Sequence, residues 1–181
     1  MVEPRMIFPH PEAIGRMLAI PGLTAAPTMF VQQEGPESAC GPEQAGAILM
    51  LQTSFVTEEG ARAFWDAAAE MMEQLAVAPG FIRRYTFPES RSGTLLAFWR
   101  TIEDAKRFAA SPEHRAAVKK LYAGRWQYSH FTALWEIAIN HGRTIFCTEC
   151  PAVTPIGDGV CSGCGTPLID TYRREPAAAT T

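Results

Sequence analysis

The most specific chemical pattern in the sequence is a pair of CxxC motifs. Cys147 and Cys150 form the first pair, Cys161 and Cys164 form the second, and ten residues separate the pairs. Four thiolates at this spacing can meet at one tetrahedral point, as in metal-binding ribbons. Because a closed four-cysteine shell leaves no open coordination position, we expect structural Zn²⁺, with rubredoxin-type iron as the alternative. Disulfides are disfavoured, because we expect a cytoplasmic location. The fifth cysteine, Cys40, is expected to be a half-buried structural thiol.

A second set of chemically useful residues lies in segments with the two-residue period of β-strands. His130 is the one histidine in such a segment, and the ordinary pKa of histidine suits it for general acid or base catalysis. The alternative is a histidine that is hydrogen-bonded within a subunit interface. The polar positions of this mixed face are Gln52, Ser54, Arg100, His130, Thr132 and Glu136, interspersed with Met50, Leu96, Phe98 and Leu134. The predicted substrate contacts are Gln52, Phe98, Thr132 and Glu136.

The other positions along the same segments are nearly all apolar and are expected to lie beneath the helices. They are Leu49, Leu51, Leu95, Ala97, Trp99, Phe131, Ala133, Trp135 and Ile137. The strands themselves are predicted at 45–56, 81–87, 94–101 and 131–139.

Helix starts are indicated by three capping residues. Thr57 precedes two glutamates and begins a helix that is predicted to run to about Ala78. Thr101 begins the next helix, and Ser111 followed by Pro112 begins a third. The first helix carries an apolar stripe with helical spacing, which we expect to be core packing. The stripe consists of Ala61, Phe64, Ala68, Met71, Met72 and Leu75.

Composition indicates an ordinary globular chain. It has 181 residues, 47% hydrophobic content and a net charge of −3, with an isoelectric point near 5.8. We expect no nucleic-acid partner, since no basic stripe is present, and no membrane partner, since no apolar run is long enough to span a bilayer. The predicted domains are an N-terminal arm (1–44), a folded core (45–140), a metal ribbon (141–172) and a disordered tail (173–181).

The order of predicted elements is β-α-β, a hairpin, and then β-α-α-β. Right-handed crossovers convert this order into an α+β, ferredoxin-like sandwich with a four-stranded antiparallel sheet and its helices on one side. The other face of the sheet needs a cover, so we predict a homodimer in which two sheets close an αβ-barrel.

One segment of this core resembles a known family. Phe98-Trp99-Arg100-Thr101, then Glu103-Asp104 to Phe108, and then Ser111-Pro112-Glu113-His114-Arg115 are similar to the dimeric αβ-barrel superfamily that includes the antibiotic biosynthesis monooxygenases. The resemblance spans roughly residues 46–139. It implies an oxidoreductase that acts on a small apolar or aromatic metabolite in a pocket on the sheet face. His130 would then move the proton and Arg100 would hold the resulting anion.

The same resemblance leaves two other functions open. One is a non-enzymatic ligand-binding or scaffolding dimer whose ribbon contacts a partner. The other is a haem enzyme, because haem-degrading members of the superfamily use a first-strand asparagine, a helix tryptophan and an axial histidine. By position this chain offers Gln52 and Phe108 for the first two, and His114 lies one turn before the axial position. We therefore expect His114 to lie on a surface turn, and haem is not favoured.

Overall fold

The computed structural model describes residues 31–155 and 159–168. Most of the predicted arm and the predicted tail lie outside these residues. The strands are β1 (Val31–Glu34), β2 (Ala47–Phe55), β3 (Phe81–Pro88), β4 (Ser92–Trp99), β5 (Gln127–Glu136), β6 (Thr144–Phe146) and β7 (Val153–Pro155). The α-helices are α1 (Glu58–Ala76), α2 (Ile102–Ala110) and α3 (Pro112–Ala123). Among the described residues, no helix is long and apolar enough to cross a membrane.

The main sheet has the order β1-β3-β4-β2-β5, and every neighbouring pair is antiparallel. Strands β2 to β5 and helices α1 to α3 form the predicted ferredoxin-like sandwich. The edge strand β1 was not predicted, because its sequence, VQQE, carries no apolar alternation. β1 is held in the sheet by its pairing with β3, where Glu34 lies opposite Arg83. A guanidinium nitrogen of Arg83 lies 3.4 Å from a carboxylate oxygen of Glu34.

Each helix starts at the predicted capping residue. The Thr57 hydroxyl accepts a hydrogen bond from the Gly60 amide at 3.0 Å. The hydroxyls of Thr101 and Ser111 accept from the third amide along the chain in the same way, each at 3.1 Å. These caps satisfy amides that have no partner within the helix, so they fix where α1, α2 and α3 begin.

The hydrophobic core lies between the sheet and the helices. Its largest buried side chains include Trp99, Phe81 and Phe55. The rings of Phe81 and Trp99 pack with their centroids 5.3 Å apart, and Phe55 packs on Phe64 of α1 at 5.1 Å. Burial of these aromatic rings holds α1 and α2 against the sheet and fixes the walls of the space between them.

The register of β5 corrects the predicted assignment of the sheet faces. Leu51 of β2 lies opposite Thr132, and Thr53 lies opposite His130. Directly opposed residues project to the same face, so His130 and Thr132 lie on the helix side of the sheet. Phe131, Ala133 and Trp135 lie on the face without helices, although they were predicted beneath the helices. Phe131 and Trp135 are 49% and 46% exposed there.

A short two-stranded sheet of β6 and β7 follows the main sheet. The side chain of Arg143, just before β6, donates a hydrogen bond to the Glu43 carboxylate at 3.3 Å. Cys147 follows β6 directly, and the Cys147 amide donates to the Ala152 carbonyl at 3.1 Å. The β6-β7 hairpin therefore sets the position of the first CxxC motif.

Candidate functional site

His130 projects from β5 toward the helices, and both of its ring nitrogens have polar neighbours. Nε2 lies 2.7 Å from the Thr132 hydroxyl oxygen, and Nδ1 lies 3.2 Å from the side-chain amide nitrogen of Gln127. The ring packs edge-on against Tyr122 of α3, with centroids 5.6 Å apart. Three neighbours thus fix the orientation of this imidazole.

The environment of His130 favours its neutral form. Burial lowers the pKa of His130 below the ordinary value of 6.5, because desolvation disfavours the charged ring. The side-chain amide of Gln127 donates to Nδ1, so the neutral ring carries its proton on Nε2, which donates to the Thr132 hydroxyl oxygen. Nδ1 is therefore the nitrogen that can take up a proton. The arrangement therefore suits a general base near neutral pH.

His130 and Thr132 line a cavity of ≈ 300 Å³ between the sheet and the helices. Most of the wall is apolar, and the stripe of α1 that was predicted as core packing contributes to it. The lining residues are Leu49, Leu51, Phe64, Trp65, Ala68, Met71, Met72, Leu75, Leu95, Ala97, Trp99, Phe108, Ala109, His114, Val118, Leu121, Tyr122, Gln127, His130 and Thr132. An apolar wall with a few polar groups is typical of a small-molecule site.

Three buried nitrogen atoms of this wall have no hydrogen-bond partner among the described residues. They are Nε1 of Trp65, Nε1 of Trp99 and Nδ1 of His114. A buried donor without a partner costs about 1–3 kcal/mol. A ligand that carries oxygen acceptors would remove that cost, so these groups favour a partly polar ligand over a purely hydrocarbon one.

His114 lies in the first turn of α3, as expected, but it is only partly exposed and also lines this cavity. Its ring packs on Phe108 with centroids 4.7 Å apart, and burial lowers the pKa of His114 below 6.5. Gln52, by contrast, lies beside Ile48 and Met50 on the open face of β2. The sheet therefore separates Gln52 from His114, and the structure does not bring together the residues that were compared with a haem site.

The four cysteines of the two CxxC motifs form a second candidate site. Their sulfur atoms all lie within 4.8 Å of one another, and they could hold a metal ion. Cys147 Sγ and Cys164 Sγ are 3.7 Å apart, and Cys150 Sγ and Cys161 Sγ are 3.6 Å apart. A tetrahedral metal with bonds of about 2.3 Å to sulfur separates its ligands by roughly 3.8 Å. The spacing fits a metal and is far longer than a disulfide bond.

Backbone groups around the cysteines also fit a thiolate cluster. The amides of Cys164 and Gly163 lower the pKa of the Cys161 thiol to about 6, which stabilises the anion that binds metals. The Glu149 amide donates to Cys147 Sγ at 3.4 Å, as the Gly163 amide does to Cys161 Sγ at 3.3 Å. The absence of a side chain at Gly163 leaves room for the Cys150 sulfur, because a Cβ at this position would lie 3.1 Å from Cys150 Sγ.

The amino-acid sequence of the sandwich was compared with models of known protein families. Residues 47–120 match the sequence profile of the antibiotic biosynthesis monooxygenase family. This part of the chain is similar to an antibiotic biosynthesis monooxygenase domain. The match runs from β2 into α3, so β5 with His130 and the cysteine ribbon lie beyond it.

Solved structures with a similar chain path include oxygenases. SnoaB, a cofactor-independent oxygenase from Streptomyces nogalater, is 19% identical with a TM-score of 0.41, and the match covers 55% of this chain and 100% of that one. A candidate monooxygenase from Lactobacillus acidophilus NCFM is 11% identical with a TM-score of 0.44, and the match covers 59% of this chain but 48% of that one. A dimeric ferredoxin-like protein of unknown function from Bacteroides fragilis NCTC 9343 is 20% identical with a TM-score of 0.39, and the match covers 51% and 97% of the two chains. Curated proteins yield no match.

Of the predicted catalytic and substrate-binding residues, the structure brings His130 and Thr132 together. Arg100 does not join them, because it follows Trp99 at the end of β4 and its exposed side chain donates to Gln44 at 3.2 Å. Gln52 and Phe98 lie on the open face, since neither alternates in phase with the cavity-lining residues of its strand. Glu136 is exposed beside Ala47 and lies outside the cavity.

The sequence did not place several residues in this cavity that the structure places there: Trp65, Trp99, His114 and Gln127. A signal existed for Trp65, which adjoins the apolar stripe of α1. His114 had a weaker signal, since it lies four residues before Val118 on α3 and shares a helix face with it. Gln127 lies four residues before the predicted start of its strand, so strand alternation did not include it.

Proposed function

We propose that the domain is an oxygenase acting on a small apolar or aromatic metabolite that binds in the cavity between sheet and helices. The observation that carries this proposal is the position of His130, a histidine with a lowered pKa that faces an apolar cavity. An electron-rich aromatic substrate with an activated methylene suits both the apolar wall and the base. The similarity to an antibiotic biosynthesis monooxygenase domain supports oxygen chemistry at the level of the family.

The proposed reaction begins with proton transfer to Nδ1 of His130, which is unprotonated in the neutral ring because it accepts a hydrogen bond from the Gln127 amide. Nε2 keeps its proton throughout and donates it in a hydrogen bond to the Thr132 hydroxyl oxygen at 2.7 Å. The carbanion then reduces dioxygen, one oxygen atom enters the product as a carbonyl and the other leaves as water. The balance is one methylene and one dioxygen giving one carbonyl and one water, so no further reductant is needed.

We propose that the indole N–H groups of Trp65 and Trp99 turn toward the substrate and stabilise its anion. Both are unpartnered among the described residues, and both residues line the cavity. Donors that are already in place when charge develops lower the barrier without reorganisation. This role was predicted for Arg100, whose side chain lies elsewhere.

The experiment is oxygen uptake with anthrone, an aromatic ketone with an activated methylene, after subtraction of the spontaneous rate. We expect uptake with one carbonyl formed per dioxygen and its loss in His130→Ala. Binding of anthrone to the protein without any uptake above the spontaneous rate would favour the alternative, a ligand-binding protein without catalysis.

The open sheet face supports a homodimer as the working form. Ile48, Met50, Phe98, Phe131 and Trp135 share this face, and no described helix covers it. An apolar surface of this kind is costly in water, and a second sheet of the same shape is a symmetric cover. The dimer would complete the αβ-barrel.

For the four-cysteine site we propose structural Zn²⁺. The four sulfurs supply a closed tetrahedral shell, which leaves no position for a substrate or a water molecule. Zinc would join the two CxxC motifs and stabilise the β6-β7 ribbon. A reducing compartment such as the cytoplasm would keep the thiols available. Metal analysis together with a visible spectrum tests this, since rubredoxin-type iron is coloured and zinc is not.

A further inference from the structure

The cavity continues into a surface groove between α2 and α3. This groove has a volume of ≈ 460 Å³, and its lining residues are Ala109, His114, Arg115, Val118, Lys119 and Tyr122. Ala109, His114, Val118 and Tyr122 also line the cavity. The shared residues make the groove the mouth through which a ligand can reach His130.

The mouth carries positive charge without a matching negative charge. Arg115 and Lys119, one helical turn apart on α3, are its charged lining residues, and both are exposed. Within residues 31–155 and 159–168, neither side chain makes a hydrogen bond or an ion pair. Two other cations of these helices do have partners: Lys120 binds Glu70 at 3.1 Å, and Arg107 binds Asp104 at 2.9 Å.

We propose that the ligand of this cavity carries a carboxylate that binds Arg115 and Lys119 at the mouth while its apolar body fills the interior. The proposal rests on the function proposed above and adds a substrate class, an aromatic acid. Arginine can bind a carboxylate through two parallel hydrogen bonds, and lysine adds a mobile point charge. Such a group stays in contact with water, so it avoids the cost of burying a charge.

The geometry also separates the two ends of the ligand. His114 lines both spaces, so it lies where the charged mouth adjoins the apolar interior. His130 lines the cavity but not the mouth. A carboxylate at the mouth would therefore direct the opposite end of the ligand toward His130, and the binding polarity would select which carbon faces the base.

The test compares 2-naphthoate with the neutral 2-naphthamide by isothermal titration calorimetry at pH 8. We expect tighter binding of the acid, and the double variant Arg115→Gln/Lys119→Gln should weaken acid binding about 3- to 10-fold, as expected for two exposed charge contacts. Binding of the amide should not change. The control Arg62→Gln/Lys106→Gln removes the same net charge from exposed positions outside the mouth and should alter neither affinity. Raising the salt concentration should reduce the preference of the wild type for the acid.

Three outcomes are decisive. Equal affinities of the wild type for acid and amide would overturn the carboxylate proposal and leave the apolar cavity as a binding site. Equal weakening of acid binding in the mouth variant and the control would overturn the role of Arg115 and Lys119. Failure of both probes to bind would overturn the proposed function as well as this inference.

Discussion

Nε2 of His130 and the hydroxyl oxygen of Thr132 lie 2.7 Å apart on neighbouring same-face positions of β5. Because Nδ1 accepts a hydrogen bond from Gln127, Nε2 carries the proton of the neutral ring and donates it to Thr132, which leaves Nδ1 as the basic nitrogen. Both residues line the cavity. The pair is therefore the centre of the proposed chemistry, and the first prediction follows from it.

His130→Ala should lower turnover of an activated aromatic methylene about a hundredfold or more, in line with the usual contribution of a general base. The fold should persist, because His130 is exposed in part and the core aromatic residues are unchanged. Oxygen uptake measures the loss, and circular dichroism checks the fold. His141→Ala, at an exposed position outside the cavity, is the matched control and should retain full activity. Full activity of the His130 variant would place the base elsewhere.

The pH dependence of kcat/KM should show a limb at acid pH. Burial lowers the pKa of His130 below 6.5, so the neutral base persists to a lower pH than usual, and activity should be flat above 6.5 and fall below the lowered pKa. The free energy of unfolding should likewise be smaller at acid pH than at neutral pH. The unfolded chain takes up protons near pH 6.5, whereas the partly buried ring of folded His130, whose pKa is lowered by desolvation, does not. The free energy of unfolding should therefore decrease as the pH falls through that range. Urea unfolding at several pH values measures this, and a smaller pH effect is expected in His130→Gln. An activity limb above pH 6.5 would contradict the assignment.

Cys161→Ser should release the metal from the ribbon and leave the ferredoxin-like sandwich folded. The reason is that Cys161 supplies one of four sulfurs that lie within 4.8 Å of one another, and three ligands hold zinc less tightly than four. Mass spectrometry of metal content after gel filtration measures the effect. Cys40→Ser, at the cysteine outside the cluster, should keep the metal. Gly163→Ala should reduce metal content as Cys161→Ser does, because the new Cβ would lie 2.7 Å from the Ala152 Cβ. Freshly purified protein without metal, or with disulfides among these cysteines, would refute the site.

Trp135→Glu should convert the proposed dimer into a monomer. Trp135 is 46% exposed on the open sheet face, and a carboxylate in a sheet-to-sheet interface would be buried without a partner. Light scattering at micromolar concentration gives the mass. Val77→Glu is the control, since Val77 is 74% exposed at the end of α1, away from that face. A wild-type protein that is already monomeric would disprove the dimer.

The helix starts and the cysteine cluster could be predicted from the sequence, because the interactions that form them join residues close together in the chain. Thr57, Thr101 and Ser111 satisfy amides three residues away, so each helix start could be recognised without the fold. The order of elements then fixed the ferredoxin-like topology through the handedness of crossovers. The CxxC spacing predicted the sulfur cluster, since Cys147 with Cys150 and Cys161 with Cys164 are close in sequence.

Tertiary structure alone decided which face of β5 meets the helices. Alternation in the sequence separates His130 and Thr132 from Phe131 and Trp135, but both sets contain residues that could face a cavity or a subunit interface. The register against β2, with Leu51 opposite Thr132, made the choice. A shift of one residue would have reversed it, because successive side chains of a strand point to opposite faces. The mouth between α2 and α3 likewise depends on how two helices pack, which no local pattern encodes.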